Sequence, residues 1–244
     1  MGFALLAHTV VANPPPPEAN TALTDFTLSV IATGVGATEG ALKVVNEKGF
    51  DIVGVMVIAA CLGFGGGVVR DMLTGSIPPD ALRTPWFTVT VIVCALAVVL
   101  LHVWVKRLEY LLFLADALVL GLFGAVGAEK ALLVGLSPFV AVVLGSIVSV
   151  AGGILADLLL MRRPSILQPG KPNALASLVG VIFYVVLTEK FKLHTNVATL
   201  ADVLMVLAIR VVAEWKDIET PAAATIAPEI LKRFDVDDDD EQEL

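Results

Sequence analysis

Seven apolar segments, each close to the length that an α-helix needs to cross a bilayer, make up most of this chain. A transmembrane helix takes about 20 predominantly apolar residues. The segments are 24–45, 50–73, 86–105, 110–134, 137–161, 173–190 and 196–215. The chain is 57% hydrophobic and only 16% charged, and a soluble fold could not cover so much apolar surface with polar groups. We therefore predict an all-α membrane protein with seven transmembrane helices.

Lysine and arginine are divided unevenly between the two ends of these predicted spans. Seven spans place the termini on opposite sides of the membrane, and basic residues concentrate on the side that faces the cytoplasm. On the C-terminal side lie Lys43, Lys48, Lys106, Arg107, Arg162, Arg163, Lys171 and Lys216, whereas Arg83, Lys190 and Lys192 lie on the other side. The bias predicts a cytoplasmic C-terminus and an N-terminus outside.

The two ends of the chain differ in character from its middle. Residues 1–12 are apolar but too short to span and have no basic flank, so we expect a tail, with a cleaved signal segment as the alternative. The last ten residues, 235–244, are dominated by Asp and Glu and supply most of the excess in a net charge of −8. Such a run repels itself and remains solvated.

Two stretches of the chain can be laid over each other. Asp25, Gly36 and Ala37 correspond to Asp116, Gly127 and Ala128, and Gly66, Gly67, Asp71 and Pro78 correspond to Gly152, Gly153, Asp157 and Pro164. Each copy contains three spans, and an odd number inverts the second copy relative to the first. The predicted units are an N-terminal tail 1–21, a first three-helix repeat 22–108, a second repeat 109–193, a seventh helix 194–216 and an acidic cytoplasmic tail 217–244.

The sharpest local feature is a cluster of glycines in the second predicted span, Gly65, Gly66 and Gly67, which has a shorter counterpart, Gly152 and Gly153, in the fifth. Each glycine costs a helix about 1 kcal/mol relative to alanine. We expect helices 2 and 5 to be broken there and to expose carbonyls toward an ion path. Close helix packing through small residues is the alternative explanation. A phosphate loop is disfavoured because the run lacks the G-K-[ST] ending.

Charged residues inside the spans are candidate components of a pathway, because they are costly in lipid. Arg70 and Asp71 directly follow the glycines, and Asp157 occupies the equivalent place in the second copy. These side chains either line a cation path or form an interhelical hydrogen bond or ion pair. Glu39 corresponds to Lys130, so we expect this pair to meet near the pseudo-two-fold axis, with snorkelling of Lys130 as the alternative.

The remaining polar residues form no constellation that is typical of an enzyme. The three histidines are scattered, and Cys61 and Cys94 lie inside apolar runs, where small buried thiols are expected. Arg210 has Asp202 and Glu214 within reach on its own helix, and a structural ion pair is expected there. We predict no catalytic residues, no metal site, no cofactor and no nucleic-acid partner.

The duplicated glycine pattern, with Arg70, Asp71 and the later Pro78, resembles the trimeric intracellular cation (TRIC) channel family, and most closely its prokaryotic branch. The resemblance covers roughly residues 22–215. It implies a homotrimer in a prokaryotic plasma membrane, with a pore for potassium, sodium and other monovalent cations in each protomer. It also implies pathway roles for the glycines and Lys130, and less directly for Arg70 and Asp71.

Two other functions remain open from the sequence. Members of this domain family are also linked to glycine uptake, and inverted repeats with interrupted helices occur in secondary transporters. A transporter needs an occluded substrate site, whereas a channel needs a pore. A non-conducting membrane scaffold is the third possibility, and in that case the charged residues would affect stability alone.

Overall fold

The computed structural model describes residues 19–47, 49–102, 108–168, 170, 172–218 and 220. Within these ranges the chain forms seven long α-helices. They are α1 (Ala19–Val44), α2 (Ile52–Leu73), α3 (Pro85–Leu101), α4 (Leu108–Leu133), α5 (Pro138–Leu159), α6 (Asn173–Glu189) and α7 (Thr195–Trp215). A short helix, Asp80–Arg83, precedes α3, and a single 3-10 turn, Ser165–Leu167, precedes α6.

Each predicted span lies on one of these helices, with bounds that differ by a few residues. The third span is shorter than expected in the described chain, since α3 ends at Leu101 and residues 103–107 lie outside the described ranges. Four helices, α2, α4, α5 and α7, are long and apolar enough to cross a membrane. The apolar helices α3 and α6 have 17 residues each, so crossing by all seven remains a prediction. The predicted acidic run 235–244 and residues 1–12 also lie outside the described chain.

Local sequence signals explain where α2 and α5 begin. The carboxylate of Asp51 accepts a hydrogen bond from the backbone N–H of Gly54 at 2.8 Å. The hydroxyl of Ser137 accepts one from the N–H of Val140 at 3.4 Å. Both side chains satisfy an N–H group that the first helical turn leaves unpaired. Pro138 then occupies the first helical position of α5, where a missing N–H has no cost.

The helices pack in an order that repeats in the two halves. Helices α2 and α5 contact each other at the centre, and α1 and α4 pack on them and on one another. Helix α3 covers α1 and α2, while α6 covers α4 and α5. Helix α7 packs against α4 and α6, both of which belong to the second half. The central helices therefore carry any site that lies inside the protein.

The predicted breaks at the glycines are not confirmed. Helix α2 is continuous through Gly65, Gly66 and Gly67, and α5 is continuous through Gly152 and Gly153. The backbone of neither helix is freed at the glycines. Their missing side chains instead let α2 and α5 approach each other closely. This outcome corresponds to the alternative of close helix packing.

Candidate functional site

The glycines divide into two groups with different surroundings. A Cβ atom added to Gly65 would lie 2.7 Å from the Cα of Gly152. One added to Gly66 would lie 2.8 Å from the carbonyl oxygen of Val148, and one added to Gly152 would lie 2.8 Å from that of Leu62. These contacts are backbone to backbone, so no side chain can be accommodated. They form the α2–α5 crossing.

The α2–α5 crossing is antiparallel. Moving forward along α2 from Leu62 to Gly66 moves the contact backward along α5, from Gly152 to Val148. Gly67 and Gly153 each lie one residue beyond the crossing, on opposite sides of it. A Cβ added at either position would meet no atom of the described chain within 4 Å. Both glycines line small cavities, which therefore lie on opposite sides of the α2–α5 crossing.

The first cavity, here called the Arg70 cavity, is lined by residues including Ser29, Gly67, Arg70, Asp71 and Asp80. Its volume is about 10 Å³, which is close to the space needed by a single water molecule. Arg70 is 2% exposed and Asp71 is fully buried. A charge in such a place must be paired and hydrogen-bonded to be tolerated.

The guanidinium of Arg70 meets that requirement through three partners. Its Nη2 lies 2.7 Å from Oδ1 of Asp71 and 3.1 Å from Oδ2 of Asp80, and its Nη1 donates to the hydroxyl of Ser29 at 2.9 Å. Asp71 also accepts a hydrogen bond at 2.7 Å from the backbone N–H of Asp80. The network ties α2 to α1 and to the short helix. For Arg70, the sequence left open either a cation path or an interhelical ion pair. The structure contains the ion pair, and the pair lies on the wall of the Arg70 cavity.

Lys130 approaches the same network from α4. Its Nζ lies 3.6 Å from Oδ2 of Asp80, and its side chain is 18% exposed. The rim of the Arg70 cavity thus carries Lys130 and the more exposed Arg83, whose Nε lies 4.0 Å from Oδ1 of Asp80. The charged residues that line the cavity itself are Arg70, Asp71 and Asp80, one cation and two carboxylates.

The second cavity, here called the acidic cavity, lies on the other side of the crossing. Glu39, Lys43, Asp116 and Asp157 line it together with Gly153. Its volume is about 30 Å³, enough for one or two water molecules. Three carboxylates face one lysine, so the formal charge is negative. Since Glu39 is near the end of α1 and Asp116 is near the start of α4, these two helices run antiparallel.

Each carboxylate of the acidic cavity has a distinct contact. Oε1 of Glu39 lies 2.8 Å from Nζ of Lys43, one turn later on α1. Oδ2 of Asp157 accepts hydrogen bonds at 2.9 Å from both the backbone N–H and the hydroxyl of Ser165. Oδ2 of Asp116 lies 2.5 Å from Nη1 of Arg210 on α7.

The expected pairing of Glu39 with Lys130 is wrong. Glu39 pairs with Lys43 beside the acidic cavity, and Lys130 lies near Asp80 beside the Arg70 cavity. Both residues occur near the C-terminal ends of their helices, and α1 and α4 are antiparallel. The two side chains therefore lie at opposite ends of the helix pair. Two residues that correspond through the repeat would meet only if both lay on the pseudo-two-fold axis.

The expected pairing of Arg210 with Asp202 on its own helix is also wrong. Its guanidinium pairs with Asp116 on α4 and lies 4.8 Å from the ring centroid of Phe113. Asp202, one of the two predicted partners, is fully buried, and neither of its carboxylate oxygens has a hydrogen-bond partner in the described chain.

Comparison with known proteins gives the family of this fold. A family model described as glycine transporter matches residues 26–103 and, a second time, residues 113–189. A crystal structure of the TRIC trimeric intracellular cation channel orthologue from Rhodobacter sphaeroides has a TM-score of 0.72 to this chain. It is 28% identical in sequence, and the match covers 80% of this chain and 99% of that one. The chain belongs to this family, in its prokaryotic TRIC branch.

Other relatives agree with this membership. A further structure, described in connection with conductance through TRIC cation channels, has a TM-score of 0.69 at 29% identity and covers 80% of this chain and 95% of that one. A UPF0126 membrane protein of Vibrio cholerae is 32% identical over 186 residues, which is 76% of this chain and 77% of the relative. The inner membrane protein YadS of Escherichia coli is 28% identical over 200 residues, 82% and 96% of the two chains. With its apolar helices, this TRIC family member is an integral, multi-pass membrane protein.

Sequence reasoning missed several residues of the site in this TRIC protein. Asp80 was not singled out, because it follows the second span and its contacts with Arg70 and Lys130 depend on the loop that returns it to the bundle. Lys43 was counted only among the basic residues on the C-terminal side of the predicted spans. Asp116 did carry a signal, its match to Asp25 in the other copy, yet its partner Arg210 lies outside both repeats.

Proposed function

We propose that the chain is a monovalent cation channel, with a path through each protomer between two inverted repeats. The observation that carries this proposal is the pair of polar cavities on opposite sides of the α2–α5 crossing. It is supported by the description of the solved relatives as cation channels. Potassium is the proposed main ion, and sodium is proposed to permeate as well.

Equivalent backbone features at the ends of α2 and α5 support the inverted repeat. The N-caps Asp51 and Ser137 are separated by the same number of residues as Asp71 and Asp157. Each helix is followed, two residues after its last helical residue, by a residue with positive φ, Gly75 at 73° and Met161 at 53°. In each case the next N–H donates to the carbonyl of the aspartate that both repeats contain, at 2.8 Å to Asp71 and 2.9 Å to Asp157, which is the Schellman arrangement.

The two cavities also correspond through the repeat. Seven lining positions of the Arg70 cavity have their counterpart on the wall of the acidic cavity. The corresponding pairs are Ser29 and Leu120, Gly63 and Ser149, Phe64 and Val150, Gly67 and Gly153, Asp71 and Asp157, Asp80 and Ile166, and Phe87 and Asn173. Two equivalent cavities on opposite faces are what a path along an inverted repeat requires.

The charges of the cavities favour cations over anions. Even when Arg210 is counted together with its partner Asp116, the acidic cavity keeps one formal negative charge. The residues that line the Arg70 cavity carry one positive and two negative formal charges, with Lys130 and Arg83 at its rim. A cleft lined by one sign of charge between low-dielectric walls concentrates the opposite ion. The cavities hold only one or two waters each, so conduction requires separation of the helices at the α2–α5 crossing.

The placement in the membrane follows from the same proposal. All seven long helices cross a prokaryotic plasma membrane, and the acidic cavity opens toward the cytoplasm with the C-terminus. The repeats occupy 22–108 and 109–193, in agreement with the two segments that match the family model separately. The functional unit is a homotrimer, as the description of the Rhodobacter sphaeroides relative states for that protein.

Potassium flux into liposomes tests the path at the two open glycines. Gly153→Leu and Gly67→Leu each project a side chain into one cavity without meeting an atom of the described chain at Cβ. We expect either variant to fold with an unchanged thermal unfolding midpoint and to lose most of the flux, by at least about ten-fold. The matched control is Val179→Leu on the exposed surface of α6, which should conduct like wild type.

Two outcomes would contradict the channel. Wild-type protein that passes no potassium at any voltage would overturn conduction itself. Blocking variants with wild-type flux would overturn the path. If these variants alter stability alone and no protein conducts, the scaffold function is favoured.

Transport of a small amino acid is the second candidate function, because the family model is described as a glycine transporter. Uptake of labelled glycine would saturate with concentration and compete with related amino acids, unlike passive flux. The acidic cavity of about 30 Å³ holds neither an amino acid nor a continuous ion path in this conformation, so the two functions are separated by the flux measurements. Saturable glycine uptake with no potassium conductance would replace the channel by the transporter.

A further inference from the structure

The fully buried carboxyl of Asp202 takes no part in either cavity. It lies on α7, which packs on α4 and α6, and neither oxygen has a hydrogen-bond partner in the described chain. A Cβ added to Gly180 of α6 would overlap Oδ1 of Asp202, so the carboxyl lies directly against that helix. An ionised carboxylate without a partner costs several kcal/mol to bury, whereas the neutral acid costs far less.

No charged group of the described chain pairs with this carboxyl. Asp116 on α4 is engaged by Arg210, which lies two turns from Asp202 on α7. The ion pairs of the described residues join none of the other charged residues of α4, α6 and α7 to Asp202. Those residues are Glu109, Asp116, Glu129 and Lys130 on α4, Glu189 on α6, and Arg210 and Glu214 on α7.

Two serine hydroxyls lie between this region and the acidic cavity. Ser149 lines that cavity, and its Oγ lies 2.6 Å from Oγ of Ser177 on α6. Ser177 is one turn before Gly180, which touches Asp202. A Cβ placed at Gly124 would lie 2.7 Å from Cγ2 of Val181, 3.7 Å from Cβ of Ser149 and 3.8 Å from Oδ2 of Asp202, so Ser149 and Asp202 both pack near this glycine.

A proton fits this site better than a metal cation. The carboxyl is packed against the backbone at Gly180, and Asp202 lines neither the Arg70 cavity nor the acidic cavity. A cation would need several oxygen ligands around it and room for itself. A proton needs only the carboxyl and a chain of groups that can both donate and accept, which serine hydroxyls provide.

We propose that Asp202 is a proton-binding site, held as the neutral acid, which exchanges its proton with the acidic cavity through the hydroxyls of Ser177 and Ser149. The site is separate from the cation path and does not rest on conduction. It makes α7, the helix that belongs to neither repeat, the carrier of a proton within the core of the second half.

Infrared difference spectroscopy of the purified protein in lipid tests the protonation directly. When the spectrum of Asp202→Asn is subtracted from that of wild type at neutral pH, the difference should contain the carbonyl band of a protonated carboxyl group. The matched control, Asp217→Asn, changes an exposed aspartate and should remove only carboxylate bands. Absence of a protonated band from the Asp202 difference spectrum would overturn the proposal.

Deuterium exchange of the same band tests the route. In heavy water the wild-type band should shift, and Ser177→Ala should slow the shift by about ten-fold or more. Ser146→Ala is the control on α5, because the Ser146 hydroxyl donates to its own helix at Val142 and should leave the rate unchanged. An unaltered rate in Ser177→Ala would refute the hydroxyl route. If Asp202→Asn does not fold, isotope-labelled aspartate in wild type separates aspartic from glutamic acid bands, and the effect of Ser177→Ala on the exchange rate still decides.

Discussion

Asp80 holds two cationic side chains that come from different helices. Its Oδ2 lies 3.1 Å from Nη2 of Arg70 and 3.6 Å from Nζ of Lys130. Arg70 is buried and tied to Asp71 and Ser29 as well, so it is held in place. Lys130 is more exposed, at 18%, and it adds a positive charge at the rim of the cavity. The two cations therefore have different roles. Arg70 holds the side chains of the cavity wall together, whereas Lys130 raises the electrostatic potential at the rim of the cavity.

Lys130→Ala should raise potassium flux through the channel. The substitution removes one positive charge from the rim of the Arg70 cavity, and removal of about 1 kcal/mol of repulsion corresponds to a rise of about five-fold. The measurement is potassium flux in liposomes at equal protein density. Lys190→Ala, an exposed lysine just after α6, is the control and should have no effect. Equal flux in wild type and Lys130→Ala would remove Lys130 from the pathway.

At the scale of single helices, the glycines of α2 act through contacts rather than through flexibility. The α2–α5 crossing requires the absence of a side chain at Gly65, Gly66 and Gly152, since backbone atoms of the other helix fill the space. Gly67 and Gly153 face open space instead. One sequence cluster thus serves two purposes, packing on one side and cavity lining on the other.

Gly65→Ala and Gly67→Ala separate these two purposes with the same change on the same helix. Gly65→Ala forces a methyl group against the Cα of Gly152 at 2.7 Å, so we expect a loss of about 1–3 kcal/mol in stability, as for an overpacked core. Gly67→Ala meets nothing nearby and should be neutral or stabilising by up to about 1 kcal/mol, because alanine favours helix. Unfolding midpoints in detergent measure both. Equal midpoints would argue against the close crossing.

At the scale of the whole molecule, α7 distinguishes the two halves. It packs on α4 and α6, and it supplies Arg210 to Asp116 of the acidic cavity. Its other buried charged residue, Asp202, has no partner in the described chain. The two halves therefore differ in charge although their helices and caps correspond.

The proposed orientation is open to a labelling test. With Cys61 and Cys94 replaced by alanine, single cysteines are introduced as Lys190→Cys after α6 and Lys216→Cys after α7, both exposed positions. A thiol reagent that cannot cross membranes should label the cysteine at 190 in intact spheroplasts, and the one at 216 only after permeabilisation. The reverse pattern would invert the protein in the membrane and place the acidic cavity outside.

The amino-acid sequence by itself determined the helices and their duplication. Long apolar runs must satisfy their backbone hydrogen bonds internally in lipid, and each of the seven predicted segments is helical. The glycines and aspartates at matching spacings in both halves were also readable, because helix caps and close contacts depend on local residue type. Gly65, Gly152, Asp71 and Asp157 all have a structural contact of the kind such residues provide.

Only the tertiary structure decided which charges meet. Arg210 pairs with Asp116 and not with Asp202, and Lys130 approaches Asp80 and not Glu39. The physical reason is that ion pairs between helices depend on crossing points and on helix direction, neither of which is encoded in spacing along one helix. Antiparallel packing of α1 and α4 separates Glu39 from Lys130, and the docking of α7 leaves Asp202 buried and alone among the described residues.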